Sequence, residues 1–305
     1  MSDVELGIGL SRMDDIAGCA RRAEELGYDF VSTGEHVFFY GPIGNGLINL
    51  ALAAGATQRI KLMSTITLVP LYPAALLAKM VTSLDVASGG RFNLGVGVGG
   101  EFAREFEACG VPVNERGART NEALEVLIKL CSEDDVHFDG KFTRLSGVTL
   151  DPKPAQKPHP PIWISGRSDA AMRRAARYGT GWLPYMYTPE QLAGSLQTIA
   201  GMSEQYERAA PVEAGQFIFF AVHEDRKVAI EMASERLSKQ YNQDFSKLVH
   251  KYALAGNPDD CAARLTEYIE AGARTVILNS ACAGSYTEEN EKLMADAVVA
   301  RFRNT

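Results

Sequence analysis

The sequence predicts an α/β protein built as a single (β/α)8 TIM barrel. Three observations predict it. Short apolar runs alternate with helical patterns from end to end, which implies parallel pairing. Eight such units follow one another with no break in composition, the number that closes a barrel. The ends of the runs collect polar, titratable or aromatic residues, as the active rim of such a barrel does. A doubly wound open sheet is the structural alternative. Against it, the run Gly95-Val-Gly-Val-Gly-Gly100 lacks the GxGxxG spacing in a first βα unit, with an acidic residue after the second strand.

The elements follow in order. A strand is expected at residues 6–10 and a helix at 13–26, stopped by Gly27. A second strand, 30–33, precedes a helix at 47–56. The third strand, 60–68, is rich in β-branched residues. Its helix, 73–87, has Pro73 at a favoured first-turn position and Gly89-Gly90 behind it. The fourth strand is 92–98 and its helix 115–130. An insertion at about 132–160 then breaks the rhythm with a hairpin at 137–142 and a proline-rich connector. Strand 162–164 leads to helix 169–178, and strand 181–184 to helix 189–208. After strand 217–222 come extra helices within about 224–256, at 227–241 and 244–254. A helix at 258–271, a strand at 275–278 and a helix at 287–302 complete one domain over residues 1–305.

Composition sets mild bounds. The chain has 305 residues, 46% hydrophobic and 23% charged, as soluble globular proteins do. A net charge of −7 argues against nucleic-acid partners, which need a basic field. Any anionic ligand must be held by local groups. Cys19, Cys109, Cys131, Cys261 and Cys282 are scattered without CxxC or metal-ligand spacing, so free thiols in a reducing cytoplasm are expected. No basic stretch precedes an apolar run at residues 1–5, so no secretory leader is expected. No apolar stretch approaches the roughly 20 residues of a membrane span.

The strand end at 165–168 is the most informative. Ser168 is a natural N-cap for the helix behind it, Gly166 lets the backbone approach a ligand, and Arg167 has the sign for phosphate. A helix start of this kind is an anion site; an ordinary capped βα turn reads the same way. His36, after the second strand, is the best acid/base candidate, because its unperturbed pKa lies near neutrality. Glu35 beside it either orients a ring or points into a strand–helix contact. Glu101 follows two glycines and either meets a ligand or caps a helix. The cluster Phe38-Phe-Tyr40 is a candidate pocket wall. His137, His159, His223 and His250 carry no role.

These residues carry a resemblance. The matching stretches are Ala23-Glu-Glu-Leu-Gly-Tyr-Asp-Phe30 with Gly34-Glu-His36, Pro73 to Lys79, and above all the run from Ser83 to Glu101. Residues 115–119, 165–182 and 256–272 add to it. Over about nine tenths of its length the chain resembles the luciferase-like monooxygenase superfamily. That resemblance implies a bacterial luciferase-like barrel, an oxidoreductase using reduced FMN or the deazaflavin coenzyme F420. Ser165, Gly166, Arg167 and Ser168 would hold the cofactor phosphate, unlike the more usual barrel site after strands seven and eight. Ser64, Thr65 and Ile66 would form a bulge with a non-proline cis peptide at or near Thr65-Ile66, against the back of the ring. Gly99, Gly100 and Trp182 would also contact the cofactor. His36 would be the acid/base residue, and Glu101 a carboxylate near the reactive ring edge. Val37 stands where the luciferases have a second histidine, which argues against light emission.

Two chemistries share this site. In the first, reduced FMN and oxygen oxygenate a small organic substrate. In the second, hydride passes between a substrate and F420, with His36 and Glu101 handling protons. A non-catalytic flavin carrier is a more distant alternative. A Schiff-base aldolase is disfavoured, because Lys61 starts its strand at the wrong end. A separate flavin or deazaflavin reductase and a homodimer are expected as partners. Substrate and direction depend on connectors 37–46, 132–160 and 222–254, whose sequences do not fix a conformation.

Overall fold

The computed structural model describes residues 4–206, 208, 210–282 and 284–303. Residues 1–3, on which part of the leader expectation rests, and residue 207, in the expected helix 189–208, lie outside the described residues. The strands are β1 (Glu5–Gly9), β2 (Phe30–Thr33), β3 (Lys61–Ser64), β4 (Thr67–Leu68), β5 (Phe92–Gly97), β6 (Val136–Asp139), β7 (Arg144–Val148), β8 (Ile162–Ile164), β9 (Gly181–Trp182), β10 (Glu213–Val222), β11 (Ala253–Gly256) and β12 (Thr275–Ser280). Parallel pairs run β12–β1–β2–β3–β5–β8–β9–β10 and return from β10 to β12. With β3 and β4 sharing one position, the ring closes at eight, the barrel the strand–helix alternation predicts.

Helices wrap the ring because their apolar faces need the outward side chains of the strands. Their starts are capped locally. Asp15 accepts from the Gly18 N–H, and Asn45 from that of Ile48. Thr188 and Asn257 close reciprocal capping boxes. Inside the ring, Phe30, Met63, Trp163, Leu183 and Ile277 pack with Phe217. Glycines make room for these rings: a Cβ on Gly181 would lie 2.3 Å from Trp163, and one on Gly7 would lie 2.6 Å from Phe30 Cβ. Each large side chain buried in this plug contributes about 1.5–3 kcal/mol. The plug fills the barrel below and leaves its C-terminal mouth for a ligand.

Several elements differ from the sequence reading. The strand expected at 60–68 is interrupted at Thr65–Ile66, whose peptide bond is cis. The strand expected at 217–222 begins at Glu213, because its first residues pair with β9. The helix expected at 189–208 ends at Ser203, and a 3-10 turn follows. The helix expected at 244–254 shrinks to one turn, Val249–Tyr252, and the chain then extends as β11. β11 pairs with residues 219–222 of β10 on the edge that β9 leaves free, while β12 takes the other edge. An apolar run of four residues is too short for its period to separate helix from strand. A six-residue helix, Ala103–Ala108, stands where none was expected.

Among the described residues no helix is long and apolar enough to cross a membrane. The five cysteines are free, with Cys109 exposed and the others buried. Burial pushes the Cys131 thiol up to about 11 and the Cys261 thiol up to about 12. A raised thiol pKa means less thiolate at neutral pH. The native protein is therefore expected to show one fast-reacting thiol with a chromogenic disulfide reagent, lost in Cys109→Ser. A second fast thiol in that variant would contradict the burial.

Candidate active site

Four consecutive positions of the ring bring the candidate residues to one rim: β2, β3–β4, β5 and β8. His36 leaves β2 with its side chain 17% exposed. Its Nδ1 lies 3.2 Å from both carboxylate oxygens of Glu105, a residue with no exposed surface. A carboxylate only accepts, so Nδ1 carries a proton, and in the neutral ring Nε2 holds the lone pair. Glu105 also accepts the Val37 N–H at 3.1 Å, which fixes the loop that carries the imidazole. Phe39 stacks on the ring at 4.2 Å and covers one face.

Glu35 turns away from the mouth. It is 6% exposed and accepts the N–H groups of Leu68 and Gly46, the Asn45 amide and the Tyr72 hydroxyl. Burial pushes its carboxyl up, and these donors pull it back. It ties β2 to β4 and to the next helix, so the strand–helix alternative for Glu35 holds. Glu35→Gln sets an amide N–H against converging donors. Urea unfolding should show a loss of about 1–3 kcal/mol, with flavin affinity retained. Unchanged stability would mean the donors do not need a carboxylate.

At the β3–β4 break, the Thr65 N–H donates to the Thr33 carbonyl at 2.8 Å. The Ile66 side chain lies over β5 and fills the space that a side chain on Gly97 would take, 1.5 Å from Cδ1, while the Ser64 carbonyl occupies the corresponding space at Gly95. Ser64 is a correction to the sequence reading. Its hydroxyl is fully buried, accepts the Gly95 N–H at 2.8 Å and donates to the Gly95 carbonyl at 3.0 Å. It locks β3 to β5, so its hydroxyl is not free for a cofactor. Beyond β5, Gly99 and Gly100 adopt φ of 60° and 106°, conformations that glycine reaches without a Cβ penalty. They carry Glu101, which is exposed and accepts a short hydrogen bond from the Tyr185 hydroxyl. His36 and Glu101 therefore have different partners, Glu105 and Tyr185.

The β8 turn has the form of an anion cradle. The Ser165 N–H is spent on the Val96 carbonyl at 2.9 Å, and Gly166 takes φ of 115°. Ser168 caps the helix Asp169–Tyr178 by accepting the Ala171 N–H at 3.3 Å. That leaves earlier N–H groups of the first turn without an intrahelical partner. Trp182 is a second correction. It is 0% exposed and donates its indole N–H to the Gly166 carbonyl at 2.9 Å, so it props the turn from behind instead of lining the mouth. Phe38 and Tyr40 are 50% and 63% exposed, and Tyr40 meets Phe102 edge-on across the rim. Glu105 is invisible to sequence reasoning, and Tyr185 is legible there only as an aromatic strand-end residue without a role. Glu105 looks no different from its neighbour Glu107 until the helix shows which one faces inward.

The model of the luciferase-like monooxygenase family matches residues 3–275. Similar characterised proteins fall on both sides of the cofactor question. An FMNH2-dependent dimethylsulfone monooxygenase of Pseudomonas putida is 32% identical over 186 residues, 60% of this chain and 50% of that protein. An F420-dependent glucose-6-phosphate dehydrogenase of Microbacterium testaceum is 25% identical over 92% of this chain and 91% of its own. Among solved structures, the monooxygenase RslO1 from Streptomyces bottropensis superposes with a TM-score of 0.87 at 26% identity, covering 98% of this chain and 99% of that one.

Proposed function

Because the chain belongs to the luciferase-like monooxygenase family, we propose that this oxidoreductase uses reduced FMN and oxygen to oxygenate a small organic substrate. The observation that carries the reading is the order of parts around the rim. The Glu105-held base stands on β2, the Thr65–Ile66 break on β3–β4, the glycine loop on β5 and the helix-capped turn on β8. At about 4.8 Å per strand pair, those three steps span roughly 14 Å, suited to a flat ring at one end and a phosphate at the other.

The residues fit such a group. Arg167, the Ser168 hydroxyl and first-turn N–H groups would hold the phosphate. Ile66 offers an apolar surface for a ring, and the gap over Gly97 is already taken by its side chain. When bound, reduced FMN supplies the electrons and the activation of oxygen. The protein's own chemistry is proton handling and shielding. Nε2 of His36 takes or gives the proton while Glu105 holds Nδ1–H and steadies the imidazolium. Phe39 and the aromatic rim keep water from the base. A separate reductase would supply the reduced flavin.

The second reading, hydride transfer with F420, is favoured by the long match to the F420-dependent relative and by Glu101 at the rim. Net charge favours neither reading strongly: a polyglutamyl tail would suit a basic groove, and the β8 turn and its helix offer only the local arginines Arg167, Arg173 and Arg174. Anaerobic absorbance titrations with reduced FMN and reduced F420 test the choice. FMN is expected to bind at least about tenfold tighter, a difference near 1.4 kcal/mol. A tenfold preference for F420 selects the hydride chemistry, and no binding of either ends both readings.

A further inference from the structure

Arg167 and Glu101 follow neighbouring strands, β8 and β5, and one side chain from the next strand joins them. Tyr185 leaves the end of β9 and donates its hydroxyl to the Glu101 carboxylate. The Arg167 guanidinium lies over the same tyrosine ring, 5.1 Å from its centre. Nη1 of Arg167 donates to the Met186 carbonyl at 3.3 Å. Met186 sits at φ of 48°, a conformation a non-glycine residue holds only where its surroundings enforce it. Those surroundings are present: the Tyr268 hydroxyl donates to the Tyr187 carbonyl at 2.6 Å, and the Tyr187 ring meets Trp182 edge-on at 5.6 Å. Burial and Glu101 push the Tyr185 phenol up, so it keeps its proton and remains the donor. The segment 185–187 is thus pinned from below and grips two charged residues above.

We propose that Tyr185 is a positioning residue that couples the occupancy of the β8 turn to the placement of Glu101. The inference rests on the reading that this turn takes the cofactor phosphate. A phosphate draws the guanidinium into a bidentate grip, which competes with its stack on Tyr185 and its bond to the Met186 carbonyl. Losing the cation loosens the tyrosine, and with it the hold on Glu101. Gly99 and Gly100 then let the carboxylate move toward the reacting groups. Linkage makes the coupling reciprocal: weakening the hold on Glu101 must ease phosphate binding.

Flavin fluorescence titrations with FMN and with riboflavin, which lacks the phosphate, test this. Arg167→Gln is expected to weaken FMN and leave riboflavin unchanged; equal effects on both overturn the phosphate reading itself. Glu101→Gln is expected to tighten FMN about fivefold without changing riboflavin, because a direct contact with the ring would alter both. In a Tyr185→Phe background the Glu101→Gln effect should vanish. Arg167→Lys, which keeps the charge but cannot stack as a plane, should also abolish it, and it serves should Tyr185→Phe unfold. A Glu101→Gln effect that persists in these backgrounds, or that is absent from the native one, overturns the inference and leaves the cofactor reading standing.

Discussion

His36→Ala is expected to lower kcat by about 10²–10⁴-fold while reduced FMN still binds with its native affinity. The reason lies in the division of labour at β2. The imidazole offers Nε2 to the reaction and does not contribute to the phosphate cradle on β8. Glu105→Gln provides the sharper version, because it keeps the shape of a fully buried side chain. An amide can donate to Nδ1 as readily as accept from it, so it stabilises the opposite tautomer and takes the lone pair away from Nε2. A loss of about 10–100-fold in kcat is expected, with KM little changed and the base limb of the pH–rate profile displaced. Stopped-flow oxidation of substrate, alongside a flavin titration, checks both variants. Full activity in Glu105→Gln would reduce the carboxylate to a loop anchor for the Val37 N–H.

Gly95→Ala carries the largest expected effect on stability. A Cβ there would lie 1.8 Å from the Ser64 carbonyl oxygen and 2.9 Å from its carbon, both backbone atoms between paired strands. Nothing flexible can yield, and the Ser64 hydroxyl already spends both its bonds on the same residue. Overpacking of this kind costs about 3 kcal/mol or more, so little folded protein is expected. Gly97→Ala meets only side-chain atoms, those of Ile66, with Cδ1 1.5 Å and Cγ1 2.8 Å away. That contact can be relieved, and Ile66→Ala should restore the stability of Gly97→Ala in urea unfolding. A soluble, native-like Gly95→Ala would show that β3 and β5 do not approach as closely at the break.

Much of the barrel was readable because its signals are local. The apolar runs at 30–33 and 162–164 and the Ser168-capped helix at 169–178 coincide with the observed elements. What resisted reading depends on packing. β11 is strand because β10 has a free edge beyond β9, a fact held nowhere in residues 253–256 themselves. The helix Ala103–Ala108 is shorter than any window in which a 3.6-residue period shows, so its Glu105 went unnoticed. Ser64 and Trp182 sit at strand ends as expected, but their polar atoms are consumed by Gly95 and Gly166. Whether a strand-end side chain meets a ligand or the neighbouring strand is decided by where glycines open room. His36 and the β8 turn were recoverable because residue type and position along the strand alone argue for them.

One phosphate-tailed ring is proposed to lie along the rim from β8 to β2. A crystal structure of the protein with FMN tests it most directly. The phosphate is expected on the Ser168 hydroxyl, the first-turn N–H groups and Arg167, the ring against Ile66, and Nε2 of His36 facing its edge. A phosphate bound beyond β10 and β12, or a ring lying away from Ile66 and His36, would contradict it.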